Sequence, residues 1–170
     1  YDLKETIAAE LFEGAEYPGR SWERLKILFR FLEAFSEDEY EKREGNVWIA
    51  RSAKVAPTAF IGENVIIGKE AEVRHVHLSA AMIVGEGAVV GNSTELKNVV
   101  LFNKVQVPHY NYVGDSILGY KSHMGAGSIT SNVKSDKLLV EIHAEDGKIK
   151  TGAKIGAMLG DNVEVAAALS

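Results

Sequence analysis

From Val47 onward one aliphatic residue returns at every sixth position. Ile49, Val55, Ile61, Ile67 and Val73 fall six apart, and Gly or Ala follows most of them. After a five-residue step the series resumes at Leu78 and runs through Val84, Val90, Leu96 and Phe102; Val113, Leu118 and Met124 carry it on less regularly. A period of six matches neither a helical stripe, which repeats about every 3.6 residues, nor a strand alternating at two. It is the mark of a hexapeptide solenoid, in which each hexad is a short strand and a corner and three hexads close one triangular coil. The expectation is a mainly β domain over about 47–133, with Ile49, Val55, Ile61, Ile67, Val84, Val90 and Leu96 pointing inward.

Two stretches leave this pattern. Residues 134–154 contain LLVEIHAEDGKIK, which reads as an excursion hairpin with Asp146-Gly147 at its turn; the coils resume at Ile155, Leu159 and Val165. Residues 1–45 are helical in pattern. Leu3, Ile7, Ala8 and Leu11 recur at helical spacing before the breakers Gly14, Pro18 and Gly19. Ser21 is a good N-cap for SWERLKILFRFLEAF, where Trp22, Leu25, Phe29, Leu32 and Phe35 form a stripe that Ile27, Phe31 and Ala34 widen. So broad an apolar arc fits a helix wedged within its own domain or one at a subunit interface. Ser36 and Glu39 form a capping box for a short charged helix, EDEYEKRE. The expected division is therefore a helical segment at 1–45 and a solenoid at 46–170 with a hairpin insertion.

Composition narrows the function. A formal charge of -5 argues against a nucleic-acid partner or an anionic membrane surface, both of which reward clustered Lys and Arg. It leaves room for a small anion held by one or two local cations. No apolar run approaches membrane-spanning length, and neither a signal peptide nor a lipidation motif is visible, so the expectation is a cytoplasmic protein without membrane partners. With no cysteine there are no disulfides, thiolate nucleophiles or Cys-type zinc sites.

The hexads, together with GNSTELKN (91–98), PHYNYVGDSILG (108–119) and GAGSITSN (125–132), give the chain a specific likeness. It resembles the left-handed β-helix acyltransferases. Within them it is most similar to the acetyltransferase domain of the bifunctional glucosamine-1-phosphate acetyltransferase and N-acetylglucosamine-1-phosphate uridylyltransferase, over about residues 47–133. The resemblance implies a left-handed parallel β-helix, a homotrimer with sites between subunits, acetyl-CoA as co-substrate and a sugar phosphate as acceptor. It implies that His109 is the general base for the attacking amine, a role suited to imidazole, which titrates close to neutral pH. It further implies that Lys97 binds the sugar phosphate, Tyr112 offers a substrate-binding hydroxyl, Asn132 lies near the amine and acetyl group, and Ala126 gives a backbone contact to the coenzyme A arm.

Three departures accompany the likeness. Ser79 stands where the family has an arginine for the phosphate, His123 stands where it has an asparagine, and the family carries further coils beyond the position of Leu159. These imply a groove incomplete for catalysis. The N-terminal segment has no glycine-rich nucleotide loop, so uridylyltransferase chemistry is not expected from it.

The shortened hexad between Val73 and Leu78 holds His75 and His77. Two imidazoles two residues apart can meet one metal ion, particularly if threefold symmetry multiplies them; equally, five residues can simply make a tolerated corner. Two classes of function thus stand side by side. One is an acetyl-CoA-dependent enzyme domain using His109. The other is a catalytically silent homotrimeric assembly scaffold, natural or engineered, with a metal site at His75 and His77.

Overall fold

The computed structural model describes residues 1–14, 35–79, 81–136, 138, 140–144, 147–150 and 154–168. The strand β1 (Tyr40–Arg43) precedes the first coil, which is built from β2 (Val47–Ala50), β3 (Lys54–Val55) and β4 (Phe60–Ile61). The second coil is β5 (Val65–Ile67), β6 (Glu72–Val73) and β7 (His77–Leu78). The third is β8 (Met82–Val84), β9 (Val89–Asn92) and the start of β10 (Glu95–Leu101). The rest of β10, β11 (Gln106–His109) and the start of β12 (Tyr112–Leu118) make the fourth. The fifth takes the remainder of β12, with β13 (His123–Met124) and β14 (Ile129–Thr130). A hairpin of β15 (Glu141–Ala144) and β16 (Gly147–Lys150) then intervenes before β17 (Met158–Leu159) and β18 (Glu164–Val165) join a further coil.

Coil strands pair in parallel with their counterparts on the neighbouring coil, as a β-solenoid requires. Ile49, Ile67, Val84, Leu101, Leu118 and Leu159 occupy one inward column. Val55, Val73, Val90 and Val107 occupy a second, and Ile61, Leu78, Leu96, Val113 and Thr130 a third. Ile67, Leu78, Val84, Val90, Leu96, Leu101, Val113 and Leu118 are wholly shielded from water. Burying one such side chain contributes about 1.5 to 3 kcal/mol. Val55 and Ile61, in the first coil, are only partly buried among the described residues.

The register corrects the hexad frame at one place. Leu101 pairs with Val84 and Leu118, so the inward step from Leu96 is five residues and ends at Leu101 rather than Phe102. Val107, outside the expected series, then fills the second column. Phe102 sits one residue past the inward position and is buried by the N-terminal segment: Tyr1 and Phe12 bring their rings to 5.3 and 5.5 Å of its own.

That segment is less helical than its spacing suggests. A 3-10 turn at Leu3–Glu5 and the four-residue α1 (Ala9–Phe12) are separated by Thr6, whose hydroxyl accepts from the Ala8 N–H. The expected helix over 21–35 lies, apart from Phe35, outside the described residues. The expected charged helix EDEYEKRE is overturned. Ser36 caps a single turn, its hydroxyl accepting from the Asp38 N–H, and Tyr40–Arg43 then runs as β1 antiparallel to β2. Tertiary pairing wins here, because β2 would otherwise present an unpaired strand edge. Tyr40 is drawn into the core against Phe35, with ring centroids 4.3 Å apart.

β15 and β16 pair as an antiparallel hairpin, with Gly147 at φ 127° opening the returning strand opposite Ala144; Asp146, expected with Gly147 at the turn, lies outside the described residues.

Candidate functional site

β10 and β12 each run through a corner instead of stopping at it. Glu95 and Leu96 pair with β7 while Val99 to Leu101 pair with β8, and the bend between them falls at Asn98, with φ 53°. Asp115, at φ 45°, makes the same bend one coil later. Asn and Asp tolerate this left-handed conformation better than other side-chain-bearing residues, which is why a five-residue corner can be built there.

The two bends stack, and their side chains meet. Asn98 Nδ2 donates to Asp115 Oδ1 at 2.9 Å across 17 residues of chain, and Asn132 Nδ2, a further 17 residues on, donates to Asp115 Oδ2. The corner is anchored from inside by the buried Ser116 hydroxyl, which donates to the Gly114 carbonyl at 2.7 Å, and by Thr130 Oγ1, which accepts from the Gly114 N–H. From the far side of the hairpin, the Gly156 N–H donates to the Asp115 carbonyl at 2.9 Å.

Tyr112 stands beside this ladder, half-buried, opposite Glu95 below and Ile129 above. Its ring lies over Gly114, where an added Cβ would meet the hydroxyl at 2.7 Å. Burial pushes the Tyr112 hydroxyl above its ordinary pKa; Glu95 and Asp115 push the same way, and a hydrogen bond from Asn132 works against them. Lys97 lies opposite Gly114 in the same strand pair and is exposed. Lys97, Tyr112 and Asn132 therefore share one edge of three successive coils.

His109 ends β11, opposite Asn92, and precedes Tyr112 by three residues along the same coil. Its backbone is clamped on both sides: its N–H donates to Asn111 Oδ1 at 3.0 Å, and its carbonyl accepts from the Gly127 N–H at 3.1 Å. Asn111 is buried, and its Nδ2 donates to the Gly125 and Ser128 carbonyls. Beneath this strand a Cβ on Gly91 would lie 1.6 Å from the Pro108 carbonyl oxygen, so only glycine lets the two coils close at that point. Ala126 is exposed beside Gly127, and its carbonyl accepts from Ala168. Among the described residues no hydrogen bond or ion pair engages the His109 ring or the Lys97 ammonium.

Asp115, Asn98 and Asn111 were not singled out from the sequence. The signal existed, since residues 98, 115 and 132 are one coil length apart, but it becomes readable only when that length is known to be 17.

The residues noted as departures make contacts of their own. The Ser79 hydroxyl donates to the Leu96 carbonyl at 3.3 Å, and His123 Nδ1 lies 2.9 Å from Glu164 Oε2. His75 and His77, which the sequence lets either share an ion or simply make a corner, each have a neighbour one coil away. His75 Nδ1 hydrogen-bonds the Thr58 hydroxyl, while the His77 ring stacks on Phe60 at 4.5 Å and 10°. Both histidines line one surface pocket together with Thr58, Ser93 and Glu95. Among the described residues no three His, Cys, Asp or Glu side chains gather as a metal-binding group. No helix among them is long and apolar enough to cross a membrane.

No protein-family model matches the chain. It is 30% identical over 112 residues to the bifunctional protein GlmU of Methanococcus maripaludis strain C5, and 31% identical over 112 residues to that of Methanococcus aeolicus; each match covers 66% of this chain and 22% of the relative. A bifunctional sugar-1-phosphate nucleotidylyltransferase/acetyltransferase of Sulfurisphaera tokodaii is 32% identical over 65 residues, covering 38% of this chain and 16% of the relative. The chain thus spans about a fifth of the length of the GlmU relatives it matches.

Proposed function

We propose that this chain, which belongs to the hexapeptide-repeat acetyltransferase-like domains, transfers an acetyl group from acetyl-CoA to the amino group of a sugar 1-phosphate. The observation that carries the reading is the shared edge of Lys97, Tyr112 and Asn132 on successive coils, with His109 close by in the same coil as Tyr112. The Lys97 ammonium, unengaged among the described residues, suits a phosphate, which a compact cation binds as a point charge. The Tyr112 hydroxyl and the Asn132 amide suit the sugar and its amine. In the reaction the amine nitrogen attacks the thioester carbonyl, a C–N bond forms and the C–S bond breaks. His109 accepts the proton that the nitrogen loses and passes it to the departing sulfur, so that coenzyme A leaves as the thiol. Ala126, exposed at the adjoining corner, contributes backbone to the coenzyme A arm.

The active form in this reading is a homotrimer with parallel solenoid axes. Its support is the outer face that carries Phe60, His77, Glu95, Tyr112 and Ile129 in one register. Phe60 is 54% and Ile129 66% exposed on that face, apolar area that association would shield from water. The deciding assay measures free-thiol release with acetyl-CoA and glucosamine 1-phosphate, alongside sedimentation. Turnover from a trimer that falls at least about a hundredfold in His109→Ala supports the reading, since general-base help is commonly of that size. An inert trimer would establish the assembly scaffold instead. Turnover unchanged in His109→Ala would remove that residue from the chemistry.

A further inference from the structure

Resting on that reading of the site, we infer that Asp115 is its positioning residue: it sets the Asn132 amide so that the carbonyl oxygen, not the NH2, is presented to the acceptor amine. An ionised carboxylate can only accept hydrogen bonds. Asp115 Oδ1 is occupied by Asn98 Nδ2 and Oδ2 by Asn132 Nδ2, so each amide must turn its nitrogen toward the carboxylate. The Asn132 carbonyl then points away from Asp115. A neutral amide would otherwise present either end, because its two ends are nearly the same shape.

The geometry around the carboxylate leaves it little freedom to do otherwise. Its backbone is pinned at φ 45° in a corner that both β10 and β12 pass through. The Gly156 N–H holds its carbonyl, and the Ser116 and Thr130 hydroxyls fix the residues on either side, at 2.9 Å from one another. Asn98 matters to Asn132 through the same carboxylate. By occupying Oδ1 it leaves Oδ2 as the oxygen that faces the coil above.

The chemical consequence is specific. An amine about to attack a thioester must keep its lone pair free and lose a proton. An outward carbonyl oxygen accepts an N–H from it and aims the lone pair elsewhere, whereas an outward NH2 would compete for the lone pair itself. Asp115 thus acts through Asn132 and does not touch the substrate.

The test uses Asp115→Asn, which keeps size and shape but lets position 115 donate as well as accept, with Asn98→Ala as a second variant that removes only the lower arm. Two readouts are taken on the intact chain. The first is the proton exchange of the Asn132 side-chain amide by NMR, identified against Asn132→Ala. The second is the split of kcat and KM in thiol release. In Asp115→Asn we expect loss of amide protection and a fall of about tenfold in kcat, the size of one lost charge-assisted hydrogen bond, with KM for acetyl-CoA unchanged. Asn98→Ala should lose part of the protection and less of the rate. If the unmodified chain is inert, the acetyl-transfer reading falls while loss of protection in Asp115→Asn still supports the orientation. Protection and kcat both retained in Asp115→Asn would overturn the inference.

Discussion

The two ends of the coil stack are held together by different means. At the lower end the first coil is closed by rings: Phe35 against Tyr40 and Trp48, Lys42 over Trp48 at 5.0 Å, and Phe60 on His77. In the upper coils the outer corner is closed by a polar ladder, Asn98 to Asp115 to Asn132, repeating at 17 residues. Both ends contain five-residue corners. At the lower one, Val73 to Leu78, the side chains find unlike neighbours one coil away, a hydroxyl on Thr58 for His75 and a ring on Phe60 for His77, and among the described residues no hydrogen bond links the two. At the upper one, Val113 to Leu118, each neighbour is complementary to the next, so the groups converge. Shortening a corner does not gather a site; matching donors with acceptors at the coil repeat does.

This contrast can be broken most forcefully at the lower end. Trp48→Ala should lower stability by about 3 to 5 kcal/mol, the usual cost of deleting a buried aromatic, measured by urea unfolding, with the KM for sugar phosphate unmoved in the remaining folded protein. A KM that rises with the loss of stability would mean the two ends are coupled.

The pH dependence sharpens the same division. Burial pushes the Tyr40 hydroxyl up to about 12, with Glu86 and Glu39 adding to it. A phenol raised from its ordinary value of about 10 keeps its proton longer in the folded chain than in the unfolded one. Its contribution is whole below pH 10 and is lost as pH rises through about 12. Unfolding midpoints should therefore fall across that window by the equivalent of roughly 2 kcal/mol. Tyr40→Phe should flatten the fall, and an equally steep fall in that variant would assign it to other groups.

At the upper end Lys97→Met should raise KM for the sugar phosphate about tenfold, the equivalent of roughly 1.4 kcal/mol, and leave the unfolding midpoint where it was. A midpoint shift without a KM change would make Lys97 a structural cation. The smallest effect belongs to His75 and His77. His75→Ala with His77→Gln should alter stability by no more than about 0.5 kcal/mol each, and zinc should not raise the melting temperature of the unmodified chain. A zinc-dependent rise abolished by the pair would restore a metal site at that corner.

What was legible in the sequence follows the same physics. The inward columns could be read because a single buried aliphatic per hexad decides the position of each strand, and the coil core repeats that decision. The frame slipped between Leu96 and Phe102 because Leu101 and Phe102 are both apolar, and only the Tyr1 and Phe12 contacts say which of them faces outward. Tyr40–Arg43 was misread because EDEYEKRE has good local helical character, while its strand partner β2 offers an edge that no local pattern reveals. His109, Lys97, Tyr112, Asn132 and Ala126 are readable through the motifs that contain them; of these, Lys97, Tyr112 and Asn132 lie along one edge of successive coils. Asp115 sits inside the same motif and passed unnoticed, since its partners are two asparagines a coil away in either direction.

The hairpin between the fifth and sixth coils has a consequence for how this architecture can change. Stacked positions on neighbouring coils below are 17 or 18 residues apart, as in Asn98 with Asp115 and Ser52 with Glu70, yet Tyr120 meets Asp161 and His123 meets Glu164 across 41. The chain leaves one corner, makes a detour and lands again in register, with Ile117 beside Met158 and Leu118 beside Leu159. Since the entropy of closing a loop grows only logarithmically with its length, that corner is a port: cargo can be grafted or deleted there at little thermodynamic penalty, without a new fold having to be invented around it.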